Sequence, residues 1–302
     1  MNNIPSGGKT TLFIFLLLFC SFLPATIFAT DLDEILQRGV LRHLGVPYAS
    51  FVRLNTNGPD GLDVELMQLF AKHLGVRYEL VETSWPEVFA DLTGHRMHIE
   101  DGVVKILETV PIKGDIAANG LTILPDRQKM VDYSTPTFPT GVWLIARAGA
   151  TIKPITPTGD LSKDIQQVKT LLKGHTVLTM KDTCMDPELY DLQATGAVIR
   201  YSTSKFLGDI APEVINGSAE ITLLDIPDAL IALKRWPGEI KVIGPVSQEQ
   251  LMGIAVAKRS PVLLREFNTF FQQIWEDGTY RRMVEKYYPS VFLYLSNFFT
   301  NN

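Results

Sequence analysis

A two-lobed α/β fold is what this sequence predicts, on three observations. Short apolar runs of strand type alternate with amphipathic helical segments along most of the chain. A Thr-, Pro- and Gly-rich stretch, Thr151 to Gly159, interrupts that alternation at a lobe boundary, and a second strand–helix series follows it. The length, 302 residues, suffices for two lobes with a sizeable core in each.

Asp31 to Arg38 reads as a short helix ended by Gly39, followed by a strand through Leu41 to Val46 and a loop from Pro47 to Gly61 that holds Tyr48 and Phe51. Leu62 to Leu74 has helical spacing, with Val64, Met67, Phe70, Ala71 and Leu74 on one face and Gly75 as its stop. Val76 to Val81 is a strand, and Thr83-Ser84-Trp85-Pro86 opens the next helix, capped by Ser84 or Thr83. A polar connection, Thr93 to Gly102, leads to an extra helix expected over Val103 to Thr109. Asp115 to Ala118 begins a buried strand that breaks into a polar turn and restarts as a helix at Pro125-Asp126, where a proline and an acid suit the first helical turn.

A strand at Gly141 to Ala148 leads to the second series. Its strands are Thr176 to Met180, Ala197 to Tyr201, Glu220 to Asp225 and Glu239 to Ile243, with helices at 187–194, 205–215 and 227–235 between them. A further strand, Gly253 to Ala257, precedes a helical region from Pro261 to Tyr287 broken near Asp277-Gly278. The aromatic tail after it is too short to span a bilayer and is expected to pack on a lobe. No internal repeat is visible.

The first 29 residues stand apart, with Lys9 their only charge, an apolar run from Leu12 to Leu23 and small residues from Ala25 to Ala29. This is the pattern of a secretory signal peptide, too short in its apolar run for a membrane span. Phe19 ahead of Cys20 argues against a lipoprotein cut. Without this segment the chain carries 27 basic (28 less Lys9) and 33 acidic residues, a net charge of −6. No basic cluster suits nucleic acid, which needs grouped Lys and Arg to neutralise phosphates. Cys184 would be the one remaining cysteine, so no intramolecular disulfide is expected.

Ligands in open α/β sheets sit beyond the carboxyl ends of strands. Four residues qualify there: Thr122 and Arg127 after one strand, Thr183 after the strand ending at Met180, and Asp225 at the end of another. A guanidinium, two hydroxyls and a carboxylate converging on one crevice match a zwitterion, Arg127 taking its carboxylate and Asp225 its ammonium. Each has a plainer reading: Arg127 on a solvated helix face, Asp225 as a helix cap, Thr183 as a helix-start residue, and Tyr48, Phe51 and Trp85 as core. Gly8-Lys9-Thr10 lacks the earlier glycine of a phosphate loop. His95, His98, Glu100 and Asp101 read as a solvated charge run rather than a metal site.

At these residues the chain resembles the extracytoplasmic solute-binding proteins of family 3, the amino-acid receptors of ABC transporters. The matching stretches are GVLRHLGVPYASF, GLDVELMQLFAKHLGV, GDIAANGLTILPDRQKMVDYSTPTF, LKGHTVL, ITLLDIPDAL and GIAVAKRSPVLLREFN. The resemblance implies a periplasmic-binding-protein type II fold with two hinge strands, lobe one from 30–144 and 253–302, lobe two from 145–252, after a signal peptide at 1–29. It also implies a monomeric periplasmic protein without catalytic residue, metal or cofactor, its partners an amino-acid-like ligand and a membrane permease. Its site would be the Gly120 backbone, Thr122 and Arg127 from lobe one, Thr183 and Asp225 from lobe two, and Tyr48 and Trp85 as side-chain walls.

The chain departs from the family pattern at Asp182-Thr183, where Gly-Thr is usual, at the inserted Thr93 to Lys113, and at Tyr48-Ala49-Ser50-Phe51, which lacks the usual prolines. Two further readings stay open. One is a cyclohexadienyl dehydratase-like enzyme, with Thr-Ser-Trp-Pro at the Trp85 helix and Asp186 or Glu188 as the acid; the other is a ligand-sensing module.

Overall fold

The structure, a computed structural model, describes Met1 and residues 31–181, 183–204 and 206–300. The export segment expected at 1–29 falls, beyond Met1, outside these residues, as does Asp182.

The chain opens with α1 (Asp31–Arg38), β1 (Val40–Gly45), α2 (Leu62–His73), β2 (Arg77–Glu82) and α3 (Val88–Thr93). A hairpin of β3 (His95–Glu100) and β4 (Val103–Thr109) follows, then β5 (Ile116–Thr122), α4 (Pro125–Met130), β6 (Val131–Tyr133) and β7 (Phe138–Thr140). The middle of the chain forms β8 (Val142–Arg147), α5 (Leu161–Thr170), β9 (Thr176–Thr179), β10 (Val198–Tyr201), α6 (Ile210–Ile215), β11 (Ile221–Asp225), α7 (Ile226–Arg235) and β12 (Ile240–Pro245). The remainder is β13 (Gln250–Ala257), α8 (Pro261–Glu276), α9 (Thr279–Tyr287) and α10 (Val291–Tyr294).

Two sheets organise these elements. In the first the order is β2-β1-β5-β13-β6, with β7 also on β13; β1 runs parallel to β2 and β5, and β13 is antiparallel to its neighbours. In the second the order is β10-β9-β11-β8-β12, with β9 parallel to β10 and β11, and β8 antiparallel to β11 and β12. The chain leaves the first sheet at Gly141 and returns across residues 246–249. These crossings lie side by side, since Val142 donates its N–H to Ser247 Oγ at 2.8 Å and accepts from the Val246 N–H at 2.8 Å. All of β8 pairs in the second sheet and all of β13 in the first, so the boundaries expected at 144/145 and 252/253 fall a few residues inside these strands.

β5 is buried throughout, which is why its sequence is apolar on both faces. Phe70 of α2 meets Phe267 and Phe270 of α8 at ring-centroid distances of 5.2 and 5.3 Å, closing one side of the first sheet. The tail does pack on the first unit: Phe299 lies 6.1 Å from Trp275 and 6.2 Å from Phe138.

The extra helix expected over Val103 to Thr109 is instead the second strand of the hairpin. Asp101 and Gly102 both take positive φ, 51° and 75°, as a two-residue hairpin turn of the primed type requires, and Val103, Val104, Ile106 and Thr109 are β-branched. The helix expected at 187–194 is two 3₁₀ turns, Pro187–Tyr190 and Leu192–Thr195, and the one at 205–215 is a 3₁₀ turn from Leu207 leading into α6. α5, capped by Asp160 accepting from the Lys163 N–H at 3.2 Å, was not expected. Among the described residues no helix is long and apolar enough to cross a membrane. Nor does any group of three or more His, Cys, Asp or Glu among them suit a metal; His95 and His98, three apart on a strand, point to opposite faces.

Candidate ligand-binding site between the two sheets

The first sheet supplies its half of the site from the end of β5. Gly120 has φ +64° and its backbone lies against the Phe51 ring, where a Cβ would come within 2.6 Å of the ring carbons. Its N–H donates to Asp63 Oδ2 at 2.7 Å, so this N–H, expected to meet a ligand carboxylate, is held by α2 instead. Burial pushes Asp63 up to about 7 despite that bond. His43 ties β1 to β5 from within, Nε2 2.6 Å from the Ala118 carbonyl and Nδ1 2.9 Å from the Tyr78 hydroxyl. Burial lowers its pKa to about 4, so the ring is neutral at pH 7.

Three residues beyond Thr122, Pro125 opens α4, and its first turn carries Arg127. Arg127 is 8% exposed, which rules out the solvated-face reading. Its Nη1 donates to the Thr122 carbonyl at 3.1 Å and its guanidinium sits 5.8 Å from the Phe89 ring centroid. Thr122 Oγ1 is buried with no hydrogen-bond partner. The walls are aromatic: Tyr48 stacks on Phe51 at 5.8 Å and meets Trp85 edge-on at 5.6 Å, and Trp85 Nε1 is likewise unpartnered.

The second sheet supplies Asp225, at the end of β11 and only 2% exposed. It stands at the start of α7 but makes no side-chain cap bond; its carboxylate instead accepts from Tyr48 and Cys184. Oδ2 accepts from the Tyr48 hydroxyl at 3.1 Å, across the two sheets, and from Cys184 Sγ at 2.9 Å; Oδ1 is buried and unpartnered. Desolvation lifts Asp225 to about 6, partly offset by those two donors and by the Arg127 charge. Three residues on, Asp228 is also buried and is raised to about 7 by burial and by Asp225. Burial pushes the Cys184 thiol well above its usual range, the opposite of what a nucleophile needs.

Thr183 is not at the clamp in the expected way. Its hydroxyl donates to the Met180 carbonyl at 2.8 Å and accepts the Met185 N–H at 3.1 Å, shaping the loop that aims Cys184 at Asp225. The sites thus brought together are Tyr48, Trp85, Thr122 and Arg127 from one side and Asp225 from the other. The reading from sequence missed Asp63 and Asp228 and gave Cys184 no part in the site; Asp228 had a signal in its spacing of three from Asp225. Two cavities of about 820 and 380 Å³ open elsewhere, one beside Pro125 and Gln250 and one between Arg53 and Lys234, and neither is lined by Arg127 or Asp225.

The sequence profile of the bacterial extracellular solute-binding proteins, family 3, matches residues 44–108 and 106–290. The chain belongs to that family. The two matched segments of this family 3 protein meet inside β4, where the hairpin is inserted. It is 26% identical over 261 residues to the L-cystine-binding protein TcyJ of Escherichia coli (strain K12), covering 85% of each chain. It is 27% identical over 263 residues to the membrane-bound lytic murein transglycosylase F of Desulfosudis oleivorans, covering 86% of this chain and 51% of that protein, so it spans about half the length of that relative. The crystal structure of the ancestral amino acid-binding protein AncCDT-1, a precursor of cyclohexadienyl dehydratase, superposes with a TM-score of 0.67 at 27% identity, over 86% of this chain and 100% of that one. The P235GK mutant of ArgBP from T. maritima superposes with the same TM-score of 0.67 at 24% identity over 86% of this chain and 100% of that one, which shows the type II periplasmic-binding-protein fold.

Proposed function

We propose that this family 3 protein captures a small amino acid or related carboxylate between two closing lobes in the periplasm and delivers it to an ABC-type permease, as a monomer and without catalysis or cofactor. The observation that carries the reading is a pair of buried opposite charges from the two halves within electrostatic reach of each other, Arg127 at 8% and Asp225 at 2% exposure, with unpartnered Thr122 Oγ1 and Asp225 Oδ1 among the polar atoms there. A zwitterion satisfies both, its carboxylate at Arg127 and Thr122 and its ammonium at Asp225. The paired crossings at Gly141 and 246–249 serve as the hinge, and a ligand that touches both sides stabilises closure. The matches to L-cystine-binding TcyJ and to an ancestral amino acid-binding protein support the ligand class.

The test is the melting shift of the purified protein against a panel of amino acids and small carboxylates. A cognate ligand at 100 times its dissociation constant adds about 2.7 kcal/mol of stability. If no zwitterion shifts the transition, the reading is wrong. A sensing role is favoured by the half-length match to lytic murein transglycosylase F, and binding of the same ligands without any permease partner would support it. Of the two acids of the dehydratase reading, Asp186 accepts the Glu188 N–H as the cap of a 3₁₀ turn and Glu188 is exposed.

A further inference from the structure

The charges in the cleft do not balance for a simple zwitterion. One guanidinium, Arg127, lies within electrostatic reach of Asp225, and a second carboxylate, Asp228, lies three residues further on at the start of α7 and so shares a face with it. An acid in a first helical turn ordinarily sits in water at the positive end of the helix dipole. Asp228 does not: it is 7% exposed and lies within electrostatic reach of Tyr48 and Tyr288 of the first unit and of Cys184 and Asp225 of its own. No side chain or backbone N–H among the described residues donates to its carboxylate, no ion pair among them includes it, and no cation figures among the groups that act on it. A buried carboxylate without a partner is costly to keep, and a bound cation relieves that cost.

We propose that Asp228 is a specificity-determining residue that selects an α-amino acid with a cationic side chain, the second positive charge of the ligand seating at Asp228 while its ammonium seats at Asp225. The Tyr48 and Trp85 rings suit such a ligand, because an aromatic face attracts a cation that an aliphatic wall would not. The inference rests on the amino-acid reading above and adds the side-chain charge to it.

The test compares near-isosteres on the unaltered protein at pH 8, where both acids are ionised: lysine against norleucine, and arginine against citrulline, by titration calorimetry. The expected result is that each cationic member binds at least about tenfold more tightly than its neutral partner. Asp228→Asn should remove that preference. Norleucine binding as tightly as lysine, or a preference that survives in D228N, overturns the inference and leaves the amino-acid reading standing. Failure of every amino acid to bind overturns both. Because the isostere pairs need no substitution, a D228N protein that failed to fold would not rescue the proposal.

Discussion

On the first sheet's side of the cleft Gly120 N–H is held by Asp63, Arg127 by the Thr122 carbonyl and His43 by Ala118 and Tyr78, all within that half, and the unpartnered atoms at the clamp, Thr122 Oγ1 and Trp85 Nε1, are neutral. On the second sheet's side the unpartnered atoms are anionic: Asp225 Oδ1 is bare, Asp225 Oδ2 reaches across to Tyr48, and Asp228 has no donor. On the proposed reading the first side would fix where a ligand carboxylate lies, and the second would supply charge for a ligand to neutralise. Discrimination and pH response belong to the second side.

The largest expected effect breaks the first side. Arg127→Ala should weaken amino-acid binding by at least about a hundredfold, because it leaves a carboxylate buried without its cation. The melting temperature of the unliganded protein should barely move, and calorimetry beside a thermal scan checks both. Binding as tight as the parent's sinks the division of labour just drawn.

Next is pH, which acts on the second side. Asp225 has a folded value near 6, above the ordinary carboxylate value, so it loses its charge as pH falls through 6. Affinity for a zwitterion should then fall about tenfold per unit below that point, while affinity at pH 8 is flat. Unliganded stability should run the other way. Asp63, Asp225 and Asp228 all have raised values, so the stability they contribute is present at low pH and lost as pH rises through 6 to 7. His43, lowered to about 4, opposes them, its contribution being present above its ordinary value of 6.5 and lost as pH falls toward 4. Thermal scans at pH 8 and pH 6 should show the unliganded protein melting higher at pH 6.

Smaller effects sharpen the comparison. Tyr48→Phe removes the one hydroxyl that links Asp225 to the first side and should cost about 0.5–1.5 kcal/mol, read as a two- to tenfold loss of affinity. Asp63→Asn keeps an acceptor for Gly120 but removes a buried charge, so it should raise the melting temperature at pH 8 and leave it unchanged at pH 5. A drop at both pH values would mean that the charge itself holds Gly120 in place.

Much of the fold was legible because its signals are local. The apolar stripe of α2, the stop at Gly75 and the Pro125-Asp126 start of α4 are each written within a few residues. The hairpin was written locally too, in Asp101-Gly102, but its exposed strand lacks the apolar face that marks a core strand, with Val103, Ile106 and Leu107 all open to solvent. Arg127 and Asp225 could be found as strand-end residues. What sequence could not give was partnership: the Asp63 bond to Gly120 spans 57 residues and the Tyr48 bond to Asp225 spans 177, and both depend on how sheets stack. Thr183 lies in the loop after β9 as expected from its strand, but its hydroxyl closes that loop, a choice made by backbone geometry.

The central claim is that opposite ends of one zwitterion are held by opposite sides of the cleft. Calorimetric titration of the best-binding amino acid, its α-carboxamide and its Nα-acetyl derivative tests this directly. The account predicts that the carboxamide, which gives Arg127 no anion, and the acetyl derivative, which gives Asp225 no cation, each bind at least about a hundredfold more weakly than the free amino acid. Either derivative binding within about threefold of the parent would contradict it.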